Sequence, residues 1–151
     1  MLPAVEEALP LTAPLMQTVF ERMQEEEQVE LPVTHYFSEG LYGRQLDIPA
    51  GMAFVGAEHR QDHLLVFLKG RLTVWSDAGK WEIIAPCVIQ SKAGTQRVGI
   101  AHEDSSMLTV HATCLTELDA LTQALVVPQG LLLTGDNACL GQSPQMLPSA
   151  P

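Results

Sequence analysis

The sequence predicts an all-β domain with helical flanks: a small β-barrel between an N-terminal helix and a short C-terminal one. Three observations lead there. Between residues 31 and 113 the chain breaks into short apolar or alternating segments, at 31–37, 41–48, 52–55, 64–69, 71–76, 81–84, 87–90, 95–100 and 107–113. Regular short strands of this kind, separated by turn signals, belong to a sandwich or barrel. The breaks carry residues that turn a chain: Glu39-Gly40, Ala50-Gly51, Lys69-Gly70, Asp77-Ala78-Gly79 and Ala93-Gly94 supply glycine where positive φ is wanted. On either side of this block the apolar period lengthens to that of a helix.

Each element follows from its residues. Thr12 can cap a helix with Pro14 in its first turn. Leu15, Val19, Phe20 and Met23 then share one face, so a helix is expected over 14–28. Glu25-Glu26-Glu27 at its end oppose the helix dipole, and that end should fray. Pro32, Pro49 and Pro86 sit at strand ends, where a missing N–H costs little. After Thr113, Thr116 is a cap, and Leu118, Leu121, Leu125 and Val126 run at helical spacing to Pro128. The expected division is a leader and helix over 1–28, a barrel over 29–113, a helix over 114–127 and a Pro/Gly-rich tail over 128–151. The tail has no core of its own, yet its apolar points (Leu131-Leu132-Leu133, Cys139-Leu140, Met146-Leu147) could dock on a neighbouring subunit.

Composition removes several functions. At 151 residues the chain has room for one sizeable core. Eighteen acids against eight bases give a net charge of −10, which argues against a nucleic-acid backbone and an anionic membrane surface as partners. The three cysteines (Cys87, Cys114, Cys139) are odd in number and widely spaced, so neither a disulfide framework nor a thiolate zinc site is expected. With no basic n-region at the start and no long apolar run, a cytoplasmic protein is expected.

The chemistry concentrates in histidine. All five (His35, His59, His63, His102, His111) lie in the middle of the chain. His59 and His63 are four residues apart, an even separation that puts both on one face of a strand. The zinc-protease helix fails, because Arg60 stands where a Glu should follow the first histidine. Two imidazoles hold a divalent metal weakly and need a third ligand. On 107–113, Met107, Thr109 and His111 share a face, so His111 can reach the pocket; Glu58, His102 and Glu103 are further candidates. His102, in the turn His102-Glu103-Asp104, reads as exposed, and His35, near Tyr36 and Tyr42, reads as packing.

Residues 51–101 resemble the cupin superfamily, a small double-sheet jelly roll. Its first motif sets a His-x-His pair and an acid ahead of a closing glycine, here Gly70. That alignment places His63 on the acid, His59 on the second histidine and Ala57 on the first. In the second motif Lys92-Ala93-Gly94 stands for Pro-x-Gly, and Arg97 falls on the histidine. Of four usual ligand positions one keeps its residue, one is exchanged and two are lost. The layout is also similar to small single-domain cupins of tailed phages and prophages: a leader helix, Leu31-Pro32-Val33-Thr34-His35, the His59-to-His63 strand, Ala101-His102-Glu103-Asp104 and a final strand holding a histidine.

The resemblance implies a pocket formed by His59, His63, Arg97 and His111, with His59, His63 and His111 as ligands of one divalent ion (zinc, iron, nickel or manganese). A guanidinium at 97 would repel a cation and attract an anion, so a metal-free anion pocket stays open, as does an outward Arg97 paired with Glu103 or Asp104. Cys87 reads as a small apolar core residue, and Trp75 and Trp81 as cross-strand packing. Three functions follow. One is a pocket that binds a metal or small ligand. Another is a non-catalytic assembly or host-interaction module, with a place in a phage particle left open. The third is a metal-dependent small-molecule enzyme, for which Glu58, Glu103 and the tyrosines supply the available acids and bases. A homodimer or higher homo-oligomer is expected through exposed strand edges.

Overall fold

The computed structural model describes residues 13–127. The leader before residue 13, the Thr12 cap and the 128–151 tail with Cys139 lie outside the described residues. A helix, α1 (Ala13–Glu25), leads into nine strands: β1 (Val33–Ser38), β2 (Leu41–Ile48), β3 (Ala53–Val55), β4 (His63–Lys69), β5 (Arg71–Ser76), β6 (Gly79–Ile84), β7 (Cys87–Ser91), β8 (Val98–Ala101) and β9 (Ser105–Ala112). A second helix, α2 (Leu118–Leu125), follows. α1 ends at Glu25, so Glu26 and Glu27 escape the adverse dipole outside the helix. α2 begins at Leu118 behind Glu117, which makes no side-chain cap; Thr116 does not cap it.

The strands form two antiparallel sheets, ordered β1-β2-β9-β4-β7 and β3-β8-β5-β6. This strand order is that of a jelly roll, with helical flanks. The chain alternates between the sheets, so their inner faces share a core of Ile48, Phe67, Leu72, Val74, Ile83 and Ala101. The turn that closes β4 depends on Gly70. Its φ of +96° is in the left-handed region, and a Cβ there would stand 2.7 Å from the Asp104 carbonyl oxygen. The two tryptophans do not pair with each other across their hairpin. Trp75 faces Lys80, whose ammonium lies 5.7 Å from the ring, while Trp81 faces Val74 and packs on the core. They are offset by one position in the register and so lie on opposite faces of the hairpin. Cys87 is half-buried against that core, and burial raises its thiol pKa. Among the described residues, no helix is long and apolar enough to cross a membrane.

Register decides which side chains look inward at the far end of the five-stranded sheet. Phe37 pairs with Tyr42, Tyr42 with His111, and His63 with Ser91. Leu64 pairs with Val110, and one further step along that register sets His63 beside His111. One cross-strand row therefore reads Phe37, Tyr42, His111, His63, Ser91, all on the inner face. The next row, His35, Arg44, Thr109, Leu65 and Ile89, shares that face.

Candidate metal centre

Three histidines meet at this end. His63 opens β4, His111 stands near the end of β9, and His59 arrives from the segment before β4. Ring centroids are 4.2 Å apart for His59 and His63, 4.9 Å for His59 and His111, and 4.5 Å for His63 and His111. One ring nitrogen from each lies within 4.8 Å of the others. His63 and His111 are 7% and 2% exposed, and His59 is half-buried.

His59 is not held by a regular strand. Its carbonyl accepts from the Gly94 N–H at 3.0 Å, and it forms an isolated β-bridge with Val126. On either side of that bridge, Arg60 N–H donates to the Leu125 carbonyl at 2.8 Å and Val127 N–H to the Glu58 carbonyl at 2.9 Å. The chain leaving α2 thus straps residues 58–60 in place. α2 itself buries Leu121 and Leu125, four apart on one helical face, against Tyr42.

Burial sets the charge of the cluster. Burial first, then the neighbouring His63 and Arg44, hold His59 down to about 4. Burial first, then His59 and His63, hold His111 down to about 3. His63 is lowered as well, chiefly by burial. At neutral pH all three are neutral imidazoles with a lone pair to give. His63 Nδ1 lies 3.3 Å from the Gln61 carbonyl oxygen, which can only accept, so that nitrogen carries the proton and Nε2 is bare. His111 Nδ1 is buried without a hydrogen-bond partner. A buried nitrogen left unpaired inside a cluster of neutral donors suits a metal ion.

The structure brings together three of the candidate ligands and sets the others apart. Arg97 is half-buried and gives Nη1–H to Ser91 Oγ at 2.9 Å, at the end of the His111-His63 row. The outward pairing of Arg97 is overturned, because Glu103 faces Arg71 at 3.8 Å and Asp104 accepts from the Ala50 N–H. His102 is exposed, with Nε2 2.6 Å from Thr73 Oγ1. Glu58 and Glu103 take no part in the cluster. Ala57 is exposed beside it.

A cavity of about 220 Å³ adjoins the histidines. His59, His111, Tyr42 and Arg44 line one side, and α2 covers the other with Leu121 and Leu125. His35 belongs here too, with Nδ1 2.8 Å from Tyr42 Oη, rather than serving packing alone. Burial raises the Tyr42 phenol, so it stays protonated. Sequence reasoning missed Tyr42 and Arg44 as pocket residues. Their shared parity on β2 was visible, but that they face His111 depends on a pairing between segments some sixty residues apart.

No protein-family profile matches the chain, and no curated protein matches it. Solved structures resemble it in outline. A Cupin 2 conserved barrel domain protein from Salinispora arenicola shares 14% identity over 58% of this chain and 81% of its own, with a TM-score of 0.46. The Schizosaccharomyces pombe Cnp3 cupin domain shares 17% over 67% and 71%, at 0.47. An acetylacetone dioxygenase from Acinetobacter johnsonii shares 15% over 58% and 74%, at 0.46. The chain's own two-sheet topology defines the class, a jelly roll, and its histidine cluster is compatible with metal or ligand binding.

Proposed function

We propose that this chain binds a small molecule at a metal centre, with His59, His63 and His111 holding one divalent ion. One observation carries the reading: nitrogens from three separate parts of the chain lie within 4.8 Å of one another. The support is chemical. All three donors are neutral at pH 7, His63 Nε2 is freed by the proton on Nδ1, and His111 Nδ1 has no other partner. Three protein ligands leave coordination positions open for a ligand, as catalytic rather than closed structural sites do. When bound, such an ion polarises an oxygen of the ligand as a Lewis acid. Imidazole donors suit zinc, iron and nickel alike, with manganese a weaker match, so availability would choose among them.

The residues around the ion do the rest. α2 and the strap at Val126 exclude water from one side, and Tyr42 presents a protonated hydroxyl to the cavity. Elemental analysis of untagged protein tests the reading. About one equivalent of metal per chain is expected, with loss in both His59→Ala and His63→Ala. Wild-type protein that stays metal-free after equilibration with zinc, iron, nickel and manganese overturns it.

The proposal extends to a phage-encoded protein acting in the host cytoplasm, on the layout likeness alone, and to a homo-oligomer. The latter draws support from β1, an edge strand exposed along most of its length, and from Tyr36, Leu64 and Val88 exposed on the outer face of the same sheet. The same face favours a second reading, a non-catalytic assembly module. Light scattering that returns a monomer mass would remove both.

A further inference from the structure

A metal alone does not explain the cavity beside the histidines. Its lining contains no aspartate or glutamate, though the chain as a whole carries a net charge of −10. Arg44 lines it, exposed at one side, and belongs to none of the ion pairs among the described residues. Register fixes its place. Tyr42 faces His111, and Arg44 is the next residue on that face, about 7 Å further along the strand. Arg97 adds a second cation near the other end of the histidine row. A divalent ion on three neutral imidazoles would add two more positive charges. Nothing in the cavity wall offsets them, so the offset must come with the ligand.

The opposite wall is hydrocarbon: Leu121, Leu125 and Val126. A ligand that satisfies both walls is anionic at one end and apolar at the other. At about 220 Å³ the space is smaller than the pockets of drug-sized ligands. A phosphate dianion fits less well, because it has no apolar part to set against Leu121, Leu125 and Val126 and would find one guanidinium in the lining.

Resting on the metal-centre reading, we propose that the cavity takes a small monocarboxylate with a short apolar body. Its carboxylate lies between Arg44 and the histidine-held ion, and its body lies against Leu121, Leu125 and Val126. Arg44 is the specificity-determining residue.

Calorimetric titration of hexanoate, hexanol, acetate and inorganic phosphate tests this, on zinc-loaded and metal-free protein, wild type and Arg44→Gln. Hexanoate should bind wild type about tenfold or more tighter than hexanol or acetate. Arg44→Gln should erase the advantage over hexanol and leave zinc content unchanged. Failure to take up zinc sinks the metal reading alone, provided Arg44-dependent hexanoate binding persists in metal-free protein. Hexanoate binding no tighter than hexanol in both forms, or equal in Arg44→Gln, overturns the carboxylate site. Acetate matching hexanoate, or phosphate outcompeting it, overturns the assigned ligand class.

Discussion

The two ends of this jelly roll are built from the same strands and do different work. Tyr42 on β2, His63 on β4 and His111 on β9 stand at one end, and Ile48, Phe67 and Met107 on the same three strands lie toward the other. At the other end Ile48 and Phe67 are each 1% exposed in a core of hydrocarbon. That end gives the sheets a reason to close, because burying such side chains is worth about 1.5–3 kcal/mol each. The histidine end gives up that gain. It buries imidazoles, a phenol and a guanidinium, and leaves His111 Nδ1 and Arg97 Nε without partners. Such groups are costly unless something satisfies them. The difference teaches that stability is concentrated in one half of each strand so that the other half can be spared for a site.

Four experiments can break or sharpen that contrast, from the largest effect to the smallest. Phe67→Ala removes the largest fully buried side chain from the hydrocarbon end. It should cost about 3–5 kcal/mol in urea unfolding, while metal stoichiometry of the remaining folded protein stays unchanged. A small cost would mean that the two ends share the stability. Acid should act on the other end. In the fold His59 titrates at about 4 against 6.5 for a free imidazole, so the unfolded chain takes up that proton first. Stability is therefore full above pH 6.5 and falls as pH drops toward 4, by about 3 kcal/mol for His59 alone. Urea midpoints of metal-free protein across this window check it, and a flat profile would mean that these imidazoles are hydrated.

Gly70→Ala tests the turn that joins the sheets beyond Phe67. Its positive φ and the near Asp104 carbonyl predict a loss of about 1–3 kcal/mol by thermal unfolding. His63→Leu exchanges function for stability. Metal-free protein should gain up to about 1 kcal/mol, as buried polar sites replaced by hydrocarbon do, while metal binding falls on the order of 100-fold or more. A destabilised variant that still binds metal would reverse the assignment of the two ends.

Much of the fold was legible because strand, turn and helix signals are local. The segments 41–48 and 71–76 match β2 and β5 residue for residue, since alternation and flanking glycines or prolines bound them on both sides. The strand expected at 95–100 starts only at Val98, because 95–97 spend their backbone and side chains on the loop around Gly56 and Ser91. Thr116 was a plausible cap, but tertiary packing of Leu121 and Leu125 on Tyr42 fixes where α2 begins. In the site, the parity of His111 on its strand pointed to the inner face, whereas His59 lies outside a regular strand, so its even spacing from His63 is not what brings it to the cluster. Arg44, Tyr42 and the α2 wall were not legible. Their meeting depends on β2 pairing with β9 and on Val126 bridging to His59, contacts between distant segments that no local pattern encodes.

X-ray absorption at the metal edge of zinc-loaded protein tests the metal centre most directly. Three imidazole nitrogens at about 2.0–2.1 Å are expected, falling to two in His111→Ala. A first shell of oxygen only, or one unchanged by His111→Ala, would contradict the assignment of His59, His63 and His111 as its ligands.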